Sequence, residues 1–311
     1  MIASPSRARA RALTDIVPEL ARRFLAAPEP PLRLPTIREL ARDHRSSLAS
    51  IHAAMGRLEE AGAIRIETRG RLGAFLVERN VGRLWAAAEN GPLVISLPLA
   101  SSARYEALAT AIKQLLTNAG LEVFLIFVRG SRQRLQAVRE GRCHLTVMSR
   151  FAAEELCGPE DDIVVELGPD SYNTGHRVFY PASRADPHPI RVIVDRHSAD
   201  QQLLTSLEFA GKDVTLVPAM PAQITRLLTS GQADAAVWTT DEMQVGRPDG
   251  ILDRPLAPDV REKIGDRMTR AVLVSRAADA AVMGTVIAPI QSASVAEIQS
   301  DVLAGRVVPE Y

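Results

Sequence analysis

One pattern of thirteen residues occurs twice in the chain, ninety positions apart: Leu135-Gln136-Ala137-Val138-Arg139-Glu140-Gly141-Arg142-Cys143-His144-Leu145-Thr146-Val147 and Thr225-Arg226-Leu227-Leu228-Thr229-Ser230-Gly231-Gln232-Ala233-Asp234-Ala235-Ala236-Val237. In each copy an amphipathic helix runs to a glycine suited to the left-handed turn that closes a helix. A polar residue, His144 or Asp234, then opens a run apolar enough to be a buried strand. Strands expected around Phe124 to Val128 and Val214 to Pro218 fall on the same offset. A chain that repeats such a unit is expected to build two similar lobes.

The surrounding sequence alternates short apolar runs with helical segments, which argues for α/β architecture. Strands are expected at 93–97, 123–128, 144–148, 190–194, 214–217 and 234–238, and helices near 103–118, 132–140, 199–209 and 221–230. The helix-glycine-polar-strand signature resembles the type II periplasmic-binding-protein fold, which also serves as the effector domain of many regulators. That resemblance implies a chain crossing between lobes around Arg177 to Pro181, a return near Thr269 to Val274, and helical segments at 278–304 packed back on the first lobe.

A cleft between such lobes gathers strand ends and helix N-termini, whose free N–H groups favour an anion. The loops after the strands offer Ser101, Ser102, Arg104, Gly130, Ser131, Ser149 and Arg150 from the first lobe, and Asp195, Ser198, Thr239 and Thr240 from the second. Hydroxyls beside a guanidinium suit a carboxylate or phosphate, and Asp195 suits an amine or hydroxyl. Ser101, Ser131 and Ser198 read equally well as helix caps. Tyr172 and Asn173 line the hinge or form a plain turn, and Trp238, equivalent to Met148 in the repeat, belongs to the core or borders the cleft.

The first eighty residues have a different character. Ala10 to Ala26 carries Leu13, Ile16, Val17, Leu20, Phe24 and Leu25 at helical spacing before Pro28, Pro30 and Pro31. Thr36 and Glu39 have capping-box spacing for a short second helix. After a turn at His44 to Ser46, Ser47 caps a third helix with Leu48, Ile51, Met55 and Leu58 on one face and Gly62 at its end. Ala63 to Glu67 and Gly73 to Glu78 alternate as strands around Thr68-Arg69-Gly70-Arg71.

The stretches Leu34-Pro35-Thr36-Ile37-Arg38-Glu39-Leu40-Ala41 and Arg57-Leu58-Glu59-Glu60-Ala61-Gly62-Ala63-Ile64 resemble the opening and close of the GntR family's winged helix-turn-helix. Arg69-Gly70-Arg71-Leu72-Gly73-Ala74-Phe75 is similar to the wing of the YhfZ-type branch. The resemblance implies a third helix in the major groove of operator DNA, with Ser47, Ser50 and His52 facing bases or nearby phosphates. Arg38, Arg45, Arg57, Arg69 and Arg71 would neutralise phosphates, and Thr36 and Gly70 complete the DNA-facing set. Arg45 and Ser46 replace the glycine and aliphatic residue usual in that turn, and Leu48 stands where an arginine is common. The expected organisation is a DNA-binding domain over 1–80, a linker over 81–91, and a two-lobed effector domain over 92–311.

Charge supports this division. Residues 1–80 hold 14 arginines and no lysine against 9 acidic residues, whereas the rest holds 23 basic and 28 acidic residues. A basic head on an acidic body fits a chain that touches a polyanion with one end only. Cys143 and Cys157 are too few for a disulfide framework or a zinc site and are expected as reduced thiols. No apolar region follows Arg7, Arg9 and Arg11, and no uninterrupted apolar run reaches membrane-spanning length, so a cytoplasmic location without membrane contact is expected.

Neither a P-loop nor a dinucleotide fingerprint occurs, and His144, His176, His188 and His197 lack ligand spacing, so no cofactor or metal is expected. Asp195, His197 and Ser198 crowd one loop, which is unsuited to a relay, and no nucleophile elbow is present. Glu154, Glu155, Glu160, Asp161 and Asp162 read as a solvated acidic loop. The expectation is a dimeric, non-enzymatic regulator that binds duplex DNA and a small effector. An enzyme on the same fold with a DNA-binding head, and an effector-independent scaffold, are the alternatives.

Overall fold

Helix boundaries in the N-terminal region follow directly from capping chemistry. The computed structural model describes residues 16–183, 189–243 and 247–311. Arg7, Arg9, Arg11, Leu13, the start of the first expected helix and His188 lie outside these residues. Helix α1, described over 16–25, buries Ile16, Leu20, Ala21, Phe24 and Leu25 at spacings of three and four. Strand β1 (Leu32–Arg33) follows. Helix α2 (Ile37–Asp43) begins at a reciprocal box: the Glu39 N–H donates to Thr36 Oγ1 at 3.2 Å and the Thr36 N–H donates to Glu39 Oε2 at 2.7 Å.

The turn after α2 uses Arg45 at φ +48°, a left-handed position that favours glycine. Helix α3 (Leu48–Glu60) is capped by Ser47 and buries Ile51, Ala54, Met55 and Leu58. Leu48, expected on that buried face, is instead 46% exposed, because the head's core begins a turn further along the helix. Strands β2 (Ile64–Thr68) and β3 (Ala74–Arg79) pair antiparallel, and β1 flanks β3 on its other side. A short 3-10 turn, Gly70–Leu72, forms the tip of this wing.

The stretch expected as a polar connector is helical over Val81–Ala87 (α4), with Gly82, Leu84 and Trp85 buried. Trp85 Nε1 donates to Gly91 O at 2.8 Å. A Cβ on Gly82 would stand 2.5 Å from Gly120 O, so only glycine permits this approach. Contacts divide the chain into two units. One holds the described residues up to Leu93 with Leu115–Phe124 and Asp279–Pro289, and the other holds Val94–Gln114, Leu125–Ala278 and Ile290–Tyr311.

Two five-stranded sheets follow. Along the chain come β4 (Leu93–Leu97), α5 (Ala103–Asn118), β5 (Val123–Phe127), α6 (Ser131–Arg139), β6 (Leu145–Ser149), α7 (Arg150–Leu156) and β7 (Asp161–Glu166). The chain crosses over through 167–175 and continues with β8 (His176–Pro181), β9 (Ile190–Val194), α8 (Ala199–Glu208), β10 (Val214–Pro218), α9 (Ile224–Thr229), β11 (Ala235–Thr239), α10 (Thr240–Met243), β12 (Ile251–Pro255) and α11 (Pro258–Ile264). It returns to the first sheet as β13 (Ala271–Arg276) and ends in α12 (Ala280–Val286) and α13 (Ser292–Leu303). Arg177 to Pro181, expected at the crossing, thus form a strand of the second lobe just beyond it. Helix α13 meets the first lobe at the crossing, where Gln299 Nε2 donates to Ser171 O at 2.9 Å.

The sheet orders, β5-β4-β6-β13-β7 and β10-β9-β11-β8-β12, correspond place by place. In each, the fourth strand is antiparallel and comes from the chain segment that has just crossed over. The repeat is equally close in its bonding. Helices α6 and α9 close at Gly141 (φ +71°) and Gly231 (φ +69°), with Arg142 N–H reaching Ala137 O and Gln232 N–H reaching Leu227 O. His144 Nδ1 then accepts from the Val94 N–H at 3.0 Å, and Asp234 Oδ2 accepts from the Arg191 N–H at 2.8 Å, the donors being the second residues of the corresponding strands β4 and β9. The offset of ninety holds from the helices through β6 and β11, but β5 and β10 start 91 apart, at Val123 and Val214.

The acidic stretch is a loop only in part: Glu160 lies in the turn before β7, and Glu154, Glu155, Glu160 and Asp162 are exposed as expected. Glu154 and Glu155 lie on α7, and Asp161, on β7, is covered and paired with Arg139 because it ties β7 to helix α6. Phe151 of α7 packs in the apolar cluster of the second sheet with Val178, Val192 and Leu204, while Ala199 of α8 packs in that of the first with Leu135, Met148 and Val272.

Candidate functional site

The head exposes both the N-terminal turn of α3 and the tip of the wing. Ser47, the cap of α3, is exposed, and its hydroxyl lies 2.8 Å from that of Ser50, while His52 is exposed on the next turn. Arg38, Arg45, Arg57 and Arg71 are exposed and have no ion-pair partner among the described residues. Arg69 differs: its guanidinium lies 4.6 Å from the Phe75 ring centroid and 3.3 Å from Glu67. Thr36 is committed to its capping box, and Gly70 is exposed at the wing tip with φ +50°. Leu48 and Leu72, both strongly exposed, add apolar surface to this region.

The second feature is a cavity of about 110 Å³ between the two lobes. The ends of β4, β5, β9, β10 and β11 and the crossing segment converge on it. Ser101, Gly130, Ser131, Asp195, Ser198 and Thr239 are among its lining residues, as are Tyr172, Asn173 and Trp238. The other expected positions lie off its wall. Ser102 caps α5 through the Tyr105 N–H, and Thr240 donates to Gly175 O. Ser149 caps α7 and donates to Asp200. Arg104 pairs with Asp241 at 3.3 Å and donates to Asp170 O at 2.6 Å, whereas Arg150 is held by Glu154 and Glu166.

Several wall residues escaped the sequence reading because they sit on helices rather than in loops. Arg134 is 3% exposed and donates to Val147 O, Val128 O and Tyr172 Oη at 3.2, 2.9 and 3.4 Å. Its place beside Leu135 on the buried side of α6 was the available signal, since a charge on an apolar face rarely lacks a purpose. Asp200, in the first turn of α8, accepts from Ser149 at 2.7 Å. Glu242 follows Thr239 at capping-box spacing and accepts from Ser101, Thr239 and Trp238.

Burial dominates the proton affinities here. It pushes the Asp200 carboxyl up to about 6, with Ser149 and Arg134 opposing, and it raises Glu242 against its three hydrogen bonds. Burial also lowers His176 to about 4, and its Nδ1 is enclosed without a hydrogen-bond partner. Tyr105 and Tyr172 meet edge to face with centroids 5.2 Å apart, and burial raises the Tyr172 phenol to about 12.

The lobes also touch directly around the cavity. Arg129 holds Asp195 through two bonds, Nε at 3.2 Å and Nη2 at 2.6 Å. Gly130, at φ +88°, lies so close that an added Cβ would stand 2.7 Å from His197 O. Asp195 accepts from the backbone N–H of His197 rather than from its ring, whose Nδ1 meets Gln133, and Ser198 caps α8, so these three side chains form no relay. Among the described residues no cluster of metal-ligating side chains forms, and no helix is long and apolar enough to cross a membrane.

Comparison with known proteins agrees with this architecture. Residues 80–311 match the YhfZ C-terminal domain profile, and residues 32–76 match a helix-turn-helix domain profile. The chain is similar to YhfZ of Escherichia coli K12, with 31% identity over 285 residues that cover 90% of this chain and 91% of the relative. It superposes on the crystal structure of YhfZ from Shigella flexneri with a TM-score of 0.62 and 26% identity, covering 74% of this chain and 98% of that one. The periplasmic aliphatic sulphonate binding protein SsuA of Escherichia coli matches with a TM-score of 0.52 and 17% identity over 69% of this chain and 75% of its own. The likeness to SsuA is one of fold, and the fold of the C-terminal region is periplasmic-binding-protein-like.

Proposed function

Since this chain belongs to the YhfZ family, with a helix-turn-helix domain ahead of the family's C-terminal domain, we propose that it is a transcription regulator rather than an enzyme. It acts in the cytoplasm as a homodimer on operator DNA. Helix α3 enters the major groove in the manner of the GntR family, and the wing lies on the backbone. A small effector with an anionic group occupies the cavity and binds one arrangement of the protein better than another, which is the only way a ligand can shift DNA affinity.

The observation that carries this reading is the set of exposed guanidinium groups without acidic partners among the described residues: Arg38 on α2, Arg45 in the turn before α3, Arg57 in the last turn of α3 and Arg71 in the wing tip. Fluorescence anisotropy of the full-length protein with a duplex from its gene's own upstream region tests it. Tight binding that weakens steeply with salt is expected. Indifference to every duplex at low salt would sink the regulator reading.

A further inference from the structure

The charges of the cavity do not cancel among themselves. Arg129 and Asp195 form a two-bond pair and neutralise each other. Arg134 remains, with its donors on two carbonyls and a phenol. Opposed to it are Asp200 and Glu242, whose hydrogen bonds come from hydroxyls and an indole. No hydrogen bond or ion pair joins the guanidinium to either carboxylate. His176 adds an enclosed imidazole nitrogen with no partner.

A phosphate or dicarboxylate placed here would meet two carboxylates for one guanidinium that is not paired with a carboxylate, and like charges held in a buried site repel strongly. A simple amine would leave Arg134 buried without a counter-charge, which is costly in the same way. A molecule carrying both groups answers both needs. The cavity, at about 110 Å³, is somewhat smaller than the roughly 150 Å³ void that accepts benzene in an engineered protein core, so it suits a ligand of about six heavy atoms.

We propose, on the reading of this cavity as the effector site, that the effector is a small zwitterion, an amino acid of alanine or serine size. Its carboxylate faces Arg134 and its ammonium lies between Asp200 and Glu242, with His176 Nδ1 available as a third acceptor. Tyr105, Tyr172 and Trp238 cover the carbon skeleton. Burial raises both carboxyls, Asp200 in spite of the Arg134 charge, and an ammonium placed between them would oppose that shift.

The test is calorimetric titration and thermal melting of the full-length protein with both enantiomers of alanine and serine and with β-alanine. Matched probes lacking one group are propionate, lactate, ethylamine and ethanolamine, and succinate and inorganic phosphate represent pure anions. At least one amino acid is expected to bind and to raise the melting temperature, and its matched acid and amine are expected to bind at least tenfold more weakly. Asp200→Asn and Glu242→Gln should each weaken that binding about tenfold with an unchanged circular dichroism spectrum. The comparison between probes needs no variant, so it stands even if a variant fails to fold. Propionate, succinate or phosphate binding as tightly as the amino acids would overturn the zwitterion while leaving the cavity an effector site. Silence from every probe class would overturn the zwitterion and withdraw support from the effector site as well.

Discussion

Asp200 and His176 line one cavity, yet burial moves their proton affinities in opposite directions, and the two make opposite contributions to stability. Asp200 titrates near 6 in the folded protein against an ordinary value of 3.8, so between those pH values the folded state holds the extra proton. Its contribution to stability is therefore lost as pH rises from about 4 to 6, by up to roughly 3 kcal/mol. His176, at about 4 against 6.5, does the reverse: the unfolded chain binds the extra proton, and stability is gained over about pH 4 to 6.5. Urea denaturation of wild type and Asp200→Asn across this range should show the wild type losing ground to the variant as pH rises. His176→Asn should lose the rising contribution. Parallel stability profiles for wild type and Asp200→Asn would refute this environment for the carboxyl. At this scale the sequence disclosed the loop half of the cavity, since strand ends and helix caps announce Ser101, Ser131, Asp195 and Ser198. The helical half was harder to read: Asp200 and Glu242 look like ordinary first-turn helix acids, and only the place of Arg134 on the buried side of α6 gave a signal.

At the scale of elements, the wing and the repeat each carry a prediction. Arg71 is exposed and has no ion-pair partner among the described residues, whereas Arg69 is already engaged by Glu67 and Phe75. Arg71→Ala should therefore weaken DNA binding more than Arg69→Ala and lower the salt slope by about one, across all sequences alike. The reverse order in anisotropy titrations would show that DNA pulls Arg69 from its contacts. In the repeat, Asp234→Ala removes the acceptor of the Arg191 N–H and should cost about 1–3 kcal/mol in chemical denaturation. A loss within experimental error would mean that water replaces the carboxylate without penalty. The sequence revealed six of the ten strands of the lobes, those bounded by clear turn signals and placed by the helices before or after them. Strands β7 and β12 were obscured by Asp161, Asp162, Asp253 and Pro255, which read as loop residues. Strands β8 and β13 gave no local hint that each would be inserted antiparallel between neighbours from elsewhere in the chain.

At the scale of the whole molecule, the proposal is one of coupling, and coupling is reciprocal. Whatever factor an effector applies to DNA affinity, the operator duplex must apply to effector affinity. Anisotropy with and without the effector, set beside calorimetry with and without duplex, should return the same factor, and two unequal factors would rule out a single linked equilibrium. Sedimentation of the free protein is expected to show a dimer, and a concentration-independent monomer would remove the two-headed reading of the operator. The interchange of Phe151 and Ala199 bears on how such a signal arises. Shells riveted through one another beside the cavity, where Ser198 and Asp200 flank Ala199, cannot come apart; they can only tilt. A guest between these shells is then felt as a change in tilt, and the rivet, more than the guest's own bulk, limits how far that tilt can go.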